Sequence, residues 1–120
     1  MAHYVDGFVI PLPRKNLNIY RRLAQKAGRV WKDHGALEFR ECGVDDLSVK
    51  MGLSFPRGIE TKPGDTVLFS YIVFKSRAHR DRVNTKVMKD PRMAKMMKSA
   101  PMPFDVERMM YGGFKTIVEA

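Results

Sequence analysis

"TVLFSYIVFK", residues 66–75, decides the fold. It has no Gly or Pro and is rich in β-branched and aromatic residues, so it reads as the clearest strand in the chain. A strand with one wet face alternates apolar and polar side chains. This one does not. Leu68, Ser70, Ile72 and Phe74 share one face, and Val67, Phe69, Tyr71 and Val73 share the other. Such a strand belongs in a sheet that is covered on both sides.

Working outward, Ser76 is placed to cap a helix over 77–89, with Arg77 and Asp81 spaced for an i,i+4 pair. Asp90 and Pro91 restart the helical pattern, Asp as N-cap and Pro at the first position. Met93, Met96 and Met97 then fall on one side of a short helix. "SAPMPFD" (99–105) is a connection, and a last strand follows over about 107–118. Upstream, "YVDGFVI" (4–10) is a strand that Pro11 and Pro13 should end. From Arg14 to His34, Leu17, Tyr20, Leu23, Ala24, Ala27, Val30 and Trp31 recur in steps that mark one helical stripe. Gly35 stands where a left-handed cap would stop it. "ALEFRECGV" (36–44) alternates as a second strand. Residues 45–65 form a long connection that hides a short extended piece around Lys50–Phe55. The order is β-α-β-β-α-β with an extra short helix. It predicts an α+β, ferredoxin-like sandwich, one domain over 1–120, with strand order 4-1-3-2.

In such a sandwich both helices sit on one face of the sheet. The bare face would still carry large apolar side chains, each worth about 1.5–3 kcal/mol when buried. Left open, they form a sticky patch. One cover is a second copy of the chain, the two sheets closing face to face as a dimeric α/β barrel. The other is nucleic acid, with bases stacked on the rings. The RNA-recognition pattern K/R-G-F/Y-G/A-F-V-x-F/Y fails here, because Leu68 stands at its Gly position and Val67 at its basic one. Nucleic acid is therefore the disfavoured partner.

The net charge of +9 invites a search for a basic stripe, but the 22 Lys and Arg are spread out, most of them on the polar sides of the predicted helices. No apolar run reaches the roughly 20 residues of a membrane span. No basic segment precedes the first apolar run, which points to the cytoplasm. Cys42 is the sole cysteine, so no internal disulfide can form, and it is expected as a small buried residue. His3, His34 and His79 lack metal-ligand spacing. No phosphate loop or nucleophile elbow is present. No metal or cofactor is expected.

"MPFDVERMMYGGF" (102–114) spends two glycines, Gly112 and Gly113, inside a strand, next to the expected position of Gly7. The pattern points to a bulge or to floor space for a ligand. Asp6 shares a side with Tyr4 and Phe8, read as the helix-free face, with Arg108 and Tyr111 as partners. In a cavity there, Asp6 would be the candidate general base. Glu41 also interrupts an apolar series, and its direction is open. Seven of the nine Met lie between Met88 and Met110, which fits core or dimer packing.

"YVDGFV" (4–9), "GALEFREC" (35–42), "SFPRGI" (54–59), "VLFSYIVF" (67–74), "SRAHRDRVNTKVMKDPRM" (76–93) and "PFDVERMMYGGF" (103–114) resemble the bacterial YbaA-like family of unknown function. The match runs in order over essentially the whole chain, with Tyr71 where many relatives are expected to carry Trp. The resemblance implies a dimeric α/β-barrel fold, similar to small quinol monooxygenases, haem-degrading monooxygenases, muconolactone isomerases and stress-induced proteins. It implies no catalytic residue. The combined expectation is a homodimer that holds or transforms a small apolar molecule between facing sheets. Tyr4, Asp6, Tyr71, Arg108 and Tyr111 would line that space, and any reaction would be a cofactor-free oxygenation or isomerisation. The alternatives are RNA binding by an open sheet and a purely structural dimer.

Overall fold

The computed structural model describes residues 2–99 and 101–120; Ala100, within the connection read over 99–105, lies outside them. Four strands, β1 (Tyr4–Pro13), β2 (Glu38–Gly43), β3 (Asp65–Phe74) and β4 (Met110–Lys115), form one sheet in the order β2-β3-β1-β4. Every neighbouring pair is antiparallel. The helices are α1 (Leu17–Asp33), α2 (Phe55–Gly58), α3 (Arg77–Lys89) and α4 (Pro91–Ser99). This is the ferredoxin-like α+β sandwich that the element order predicts.

The sequence explains most boundaries. Ser76 Oγ accepts from the His79 amide and caps α3. Asp90 accepts from the Arg92 amide ahead of Pro91, the first residue of α4. Gly35, at φ 113°, takes the left-handed turn that ends α1. The stripe on α1 delivers Tyr20, Ala24 and Val30 to the core. There Val30 packs with Ile72, Phe74, Val83, Val87 and Met93. Tyr20 and Ala24 pack with Ile10, Leu12 and Leu68.

Several expectations are corrected. β1 does not stop at Ile10 but runs through both prolines to Pro13. β4 pairs with β1 only as far as Val9, so beyond it the strand has an open edge where a missing N–H costs nothing. No strand forms around Lys50–Phe55; the turn of α2 begins there instead. The last strand is shorter than read, with a 3-10 turn at Val106–Arg108 ahead of it. Asp81 pairs with Arg80 rather than Arg77. Cys42 is exposed, because β2 is an edge strand. Among the described residues no helix is long and apolar enough to cross a membrane.

Register settles which side chains lie under the helices. Phe8, Ile10 and Leu12 of β1 join Leu68, Ile72 and Phe74 of β3 in the core clusters. By alternation Tyr4 and Asp6 point the same way. The opposite face carries Val5, Gly7 and Val9, then Phe69 and Tyr71, then Met110, Gly112 and Phe114. Phe69, Met110 and Phe114 remain exposed there.

Candidate functional site

The glycine pair does not make a bulge. The β1–β4 register runs unbroken from Tyr4 opposite Lys115 to Val9 opposite Met110, with Gly7 opposite Gly112. On the helix-free face the ring of Phe114 lies over both; a Cβ on Gly7 would meet it at 3.4 Å and one on Gly112 at 3.3 Å. On the helix side, a Cβ on Gly113 would collide with the Tyr4 hydroxyl. The strand gives up side chains so that two aromatic rings can fill the space.

Asp6 lies beneath the helices, not on the open face, and is only 1% exposed. Its partner is a residue the sequence did not nominate. Arg80 Nη1, from α3, donates to Asp6 Oδ1 at 2.7 Å and to the Tyr111 hydroxyl at 3.0 Å. The same guanidinium sits 5.0 Å from the centre of the Tyr4 ring. Partial burial, then the Asp6 charge, hold the Tyr111 hydroxyl above its ordinary pKa. Tyr4, Asp6 and Tyr111 are thus brought together. Arg108 is elsewhere, donating to Asp65 Oδ2 at 3.1 Å and to the Glu60 carbonyl. Tyr71 is on the other side of the sheet, beside Phe69. Breaking a buried ion pair such as Asp6–Arg80 costs about 3–5 kcal/mol. Asp6 borders neither hollow described next.

Unfilled space lies between the helix layer and the sheet. A hollow of about 380 Å³ is walled by Phe8 and Ile72 from the sheet, Trp31 from α1, and Phe104. Six methionines close it: Met88, Met93, Met96, Met97, Met102 and Met109. The Met-rich segment therefore lines a hollow as well as packing against the core. Beside the hollow, a groove of about 750 Å³ runs along α1 past Arg21, Arg29 and Lys32. Glu41, Tyr20 and Phe39 border both spaces. Phe39 can lie close to α1 because Gly28 has no Cβ; one built there would be 2.7 Å from the ring.

Glu41 is the polar centre of this region. Its direction, open from the sequence, is toward α1. Tyr20 donates its hydroxyl to Glu41 Oε1 at 2.7 Å, and Ser70 Oγ donates to the same oxygen. Glu41 is exposed on the edge strand β2, and its carboxyl is raised above the usual range by the part of it that the Tyr20 and Ser70 side of the groove desolvates, against the two hydroxyls that lower it. Burial, followed by the Glu41 charge, pushes the Tyr20 phenol well above its ordinary value. Among the described residues no His, Cys, Asp and Glu group of three or more could hold a metal.

A sequence profile described as a protein of unknown function, DUF1428, matches residues 3–106. The chain belongs to the DUF1428 family. The uncharacterized protein YbaA of Escherichia coli K12 is 40% identical over 116 residues, 97% of each chain. YbaA of Shigella flexneri matches to the same extent. Among solved structures, a NIPSNAP family protein of unknown function from Agrobacterium tumefaciens shares the fold, with TM-score 0.61 and 13% identity over 95% of this chain and 87% of that one. A dimeric ferredoxin-like protein from an uncultured marine organism gives TM-score 0.60 and 12% identity over 100% of both chains.

The DUF1428 chain did carry a signal for Glu41. Ser70 interrupts the series Leu68, Ile72 and Phe74, and Glu41 interrupts the series Leu37 and Phe39. The pairing of β2 with β3 sets the two interruptions opposite each other. Polar breaks that meet on one face can satisfy each other by hydrogen bonding; each alone reads as an irregularity.

Proposed function

We propose that the chain is a homodimer, joined through its helix-free face, and that each subunit binds a small apolar molecule between helices and sheet. The hollow beside Glu41 carries this reading. Its volume falls in the lower part of the range of about 300–1,000 Å³ typical of ligand pockets, and its wall combines apolar side chains with few polar groups. The binding space expected between facing sheets is replaced by this one, because Asp6 and Tyr111 are occupied by Arg80 under the helices.

Dimerisation is supported by what a lone subunit leaves in water. Phe69, Met110 and Phe114 on the sheet are joined by Leu47, Val49, Met51, Leu53 and Phe55 of the long connection, all exposed. The radius of gyration is 15.2 Å, against about 13.6 Å for a compact chain of this length. The excess fits arms that reach beyond the subunit. One fold neighbour is described as dimeric.

The nine methionines provide the test. With 13C-labelled Met methyl groups, titration with small alkylphenols should shift the NMR signals of Met93, Met96 and Met109 and leave Met51 in place. Shifts confined to Met110, on the open face, or no shifts at all, would overturn the pocket.

A further inference from the structure

Glu41 offers a guest one specific interaction. Its Oε1 already takes two donors, the Tyr20 and Ser70 hydroxyls. Among the described residues no hydrogen bond reaches its Oε2 and no cation pairs with it. An unpaired carboxylate oxygen bordering an apolar hollow can accept a charge-assisted hydrogen bond. Three donor classes come into question.

An anionic ligand meets the Glu41 charge at the point of contact. A cationic amine would suit Glu41 but would sit beside a groove lined by Arg21, Arg29 and Lys32, on a chain of net charge +9. The wall deeper in is almost entirely apolar, with Phe8, Ile72, Met93, Met96 and Phe104, and gives a charged group no counterpart. A neutral donor on an apolar body satisfies both ends.

We infer that the ligand is a neutral, hydroxyl-bearing apolar molecule, of the phenol or fatty-alcohol class, whose O–H donates to Glu41 Oε2 while its body fills the methionine-lined hollow. The inference rests on the pocket reading above and adds the chemistry of recognition. Glu41 is then the specificity-determining residue. Tyr20 and Ser70 are positioning residues, because they fix the carboxylate through its other oxygen.

The probes are 4-propylphenol, its methyl ether 4-propylanisole, and 4-propylbenzylamine, titrated calorimetrically into the full chain at neutral pH. A hydrogen bond to a charged acceptor is worth roughly ten- to a hundredfold in affinity. The phenol should therefore bind at least about tenfold more tightly than the ether, which keeps the shape but cannot donate. In Glu41→Gln the amide oxygen can still accept from Tyr20 and Ser70, but an N–H₂ replaces the free acceptor. The gap between phenol and ether should shrink to about threefold or less.

Equal binding of phenol and ether by the native chain overturns the donor inference and leaves the pocket standing. So does a gap that persists in Glu41→Gln, or an amine that binds more tightly than the phenol. Failure of all three probes to bind overturns the pocket itself.

Discussion

At the scale of single residues, small side chains are spent where rings need room. Gly113 faces the Tyr4 hydroxyl and Gly7 faces only the edge of Phe114 at ordinary contact distance. Gly113→Ala should therefore lower stability by about 1–3 kcal/mol. Gly7→Ala should change it by less than about 1 kcal/mol. Urea unfolding of the two variants checks the contrast, and equal losses would contradict it. The sequence singled out these glycines but not their use, since nothing in it tells which ring lies over them. Asp6 shows the same limit. Alternation sorts β1 into two sets, Tyr4–Asp6–Phe8–Ile10 and Val5–Gly7–Val9, and both contain apolar residues. Which set lies beneath the helices is fixed by α3, whose Arg80 reaches Asp6 across 74 positions of chain.

At the scale of elements, helix starts were legible because capping is local. Ser76 and Asp90-Pro91 act through hydrogen bonds within a few residues. Strand ends were less legible, because the tolerance of Pro11 and Pro13 depends on where β4 begins, at Met110. The Asp90 cap also reaches beyond its helix. Arg92 donates to both Asp90 oxygens and, through Nη1, to Asp33 Oδ2 at 2.7 Å, while His34 Nε2 lies 2.8 Å from Asp90 Oδ2. The start of α4 is thereby tied to the end of α1. The hydrogen bonds from Arg92 first, then from His34, hold the Asp90 carboxyl far below its ordinary value of 3.8. A depressed folded-state pKa contributes stability above the unfolded value that is lost as pH falls below it. Unfolding midpoints of the native chain should thus drop on acidification below about pH 4, and Asp90→Asn should flatten that part of the curve. An unchanged acid limb in the variant would show that the cluster is not coupled to folding.

At the scale of the whole molecule, the two-sided greasiness of β3 foretold an uncovered face, and Phe69, Met110 and Phe114 are exposed on it. The pocket was not foretold, because its wall draws on α1, α3, α4, the sheet and the segment around Phe104 at once. If a second copy covers the face, Phe69→Glu should convert the sedimenting species from dimer to monomer while the far-ultraviolet circular dichroism spectrum stays native. A species of unchanged mass would remove the proposed interface. The methionine wall has one further consequence. Thioethers are converted by peroxide into sulfoxides, which are polar and chiral. Met97 and Met102 stand exposed at the rim, whereas Met93 is buried. Oxidants would attack the rim before the interior, so if the hollow holds a guest as proposed, its wall would turn polar from the outside inward and the grip would track the oxidative state of its surroundings.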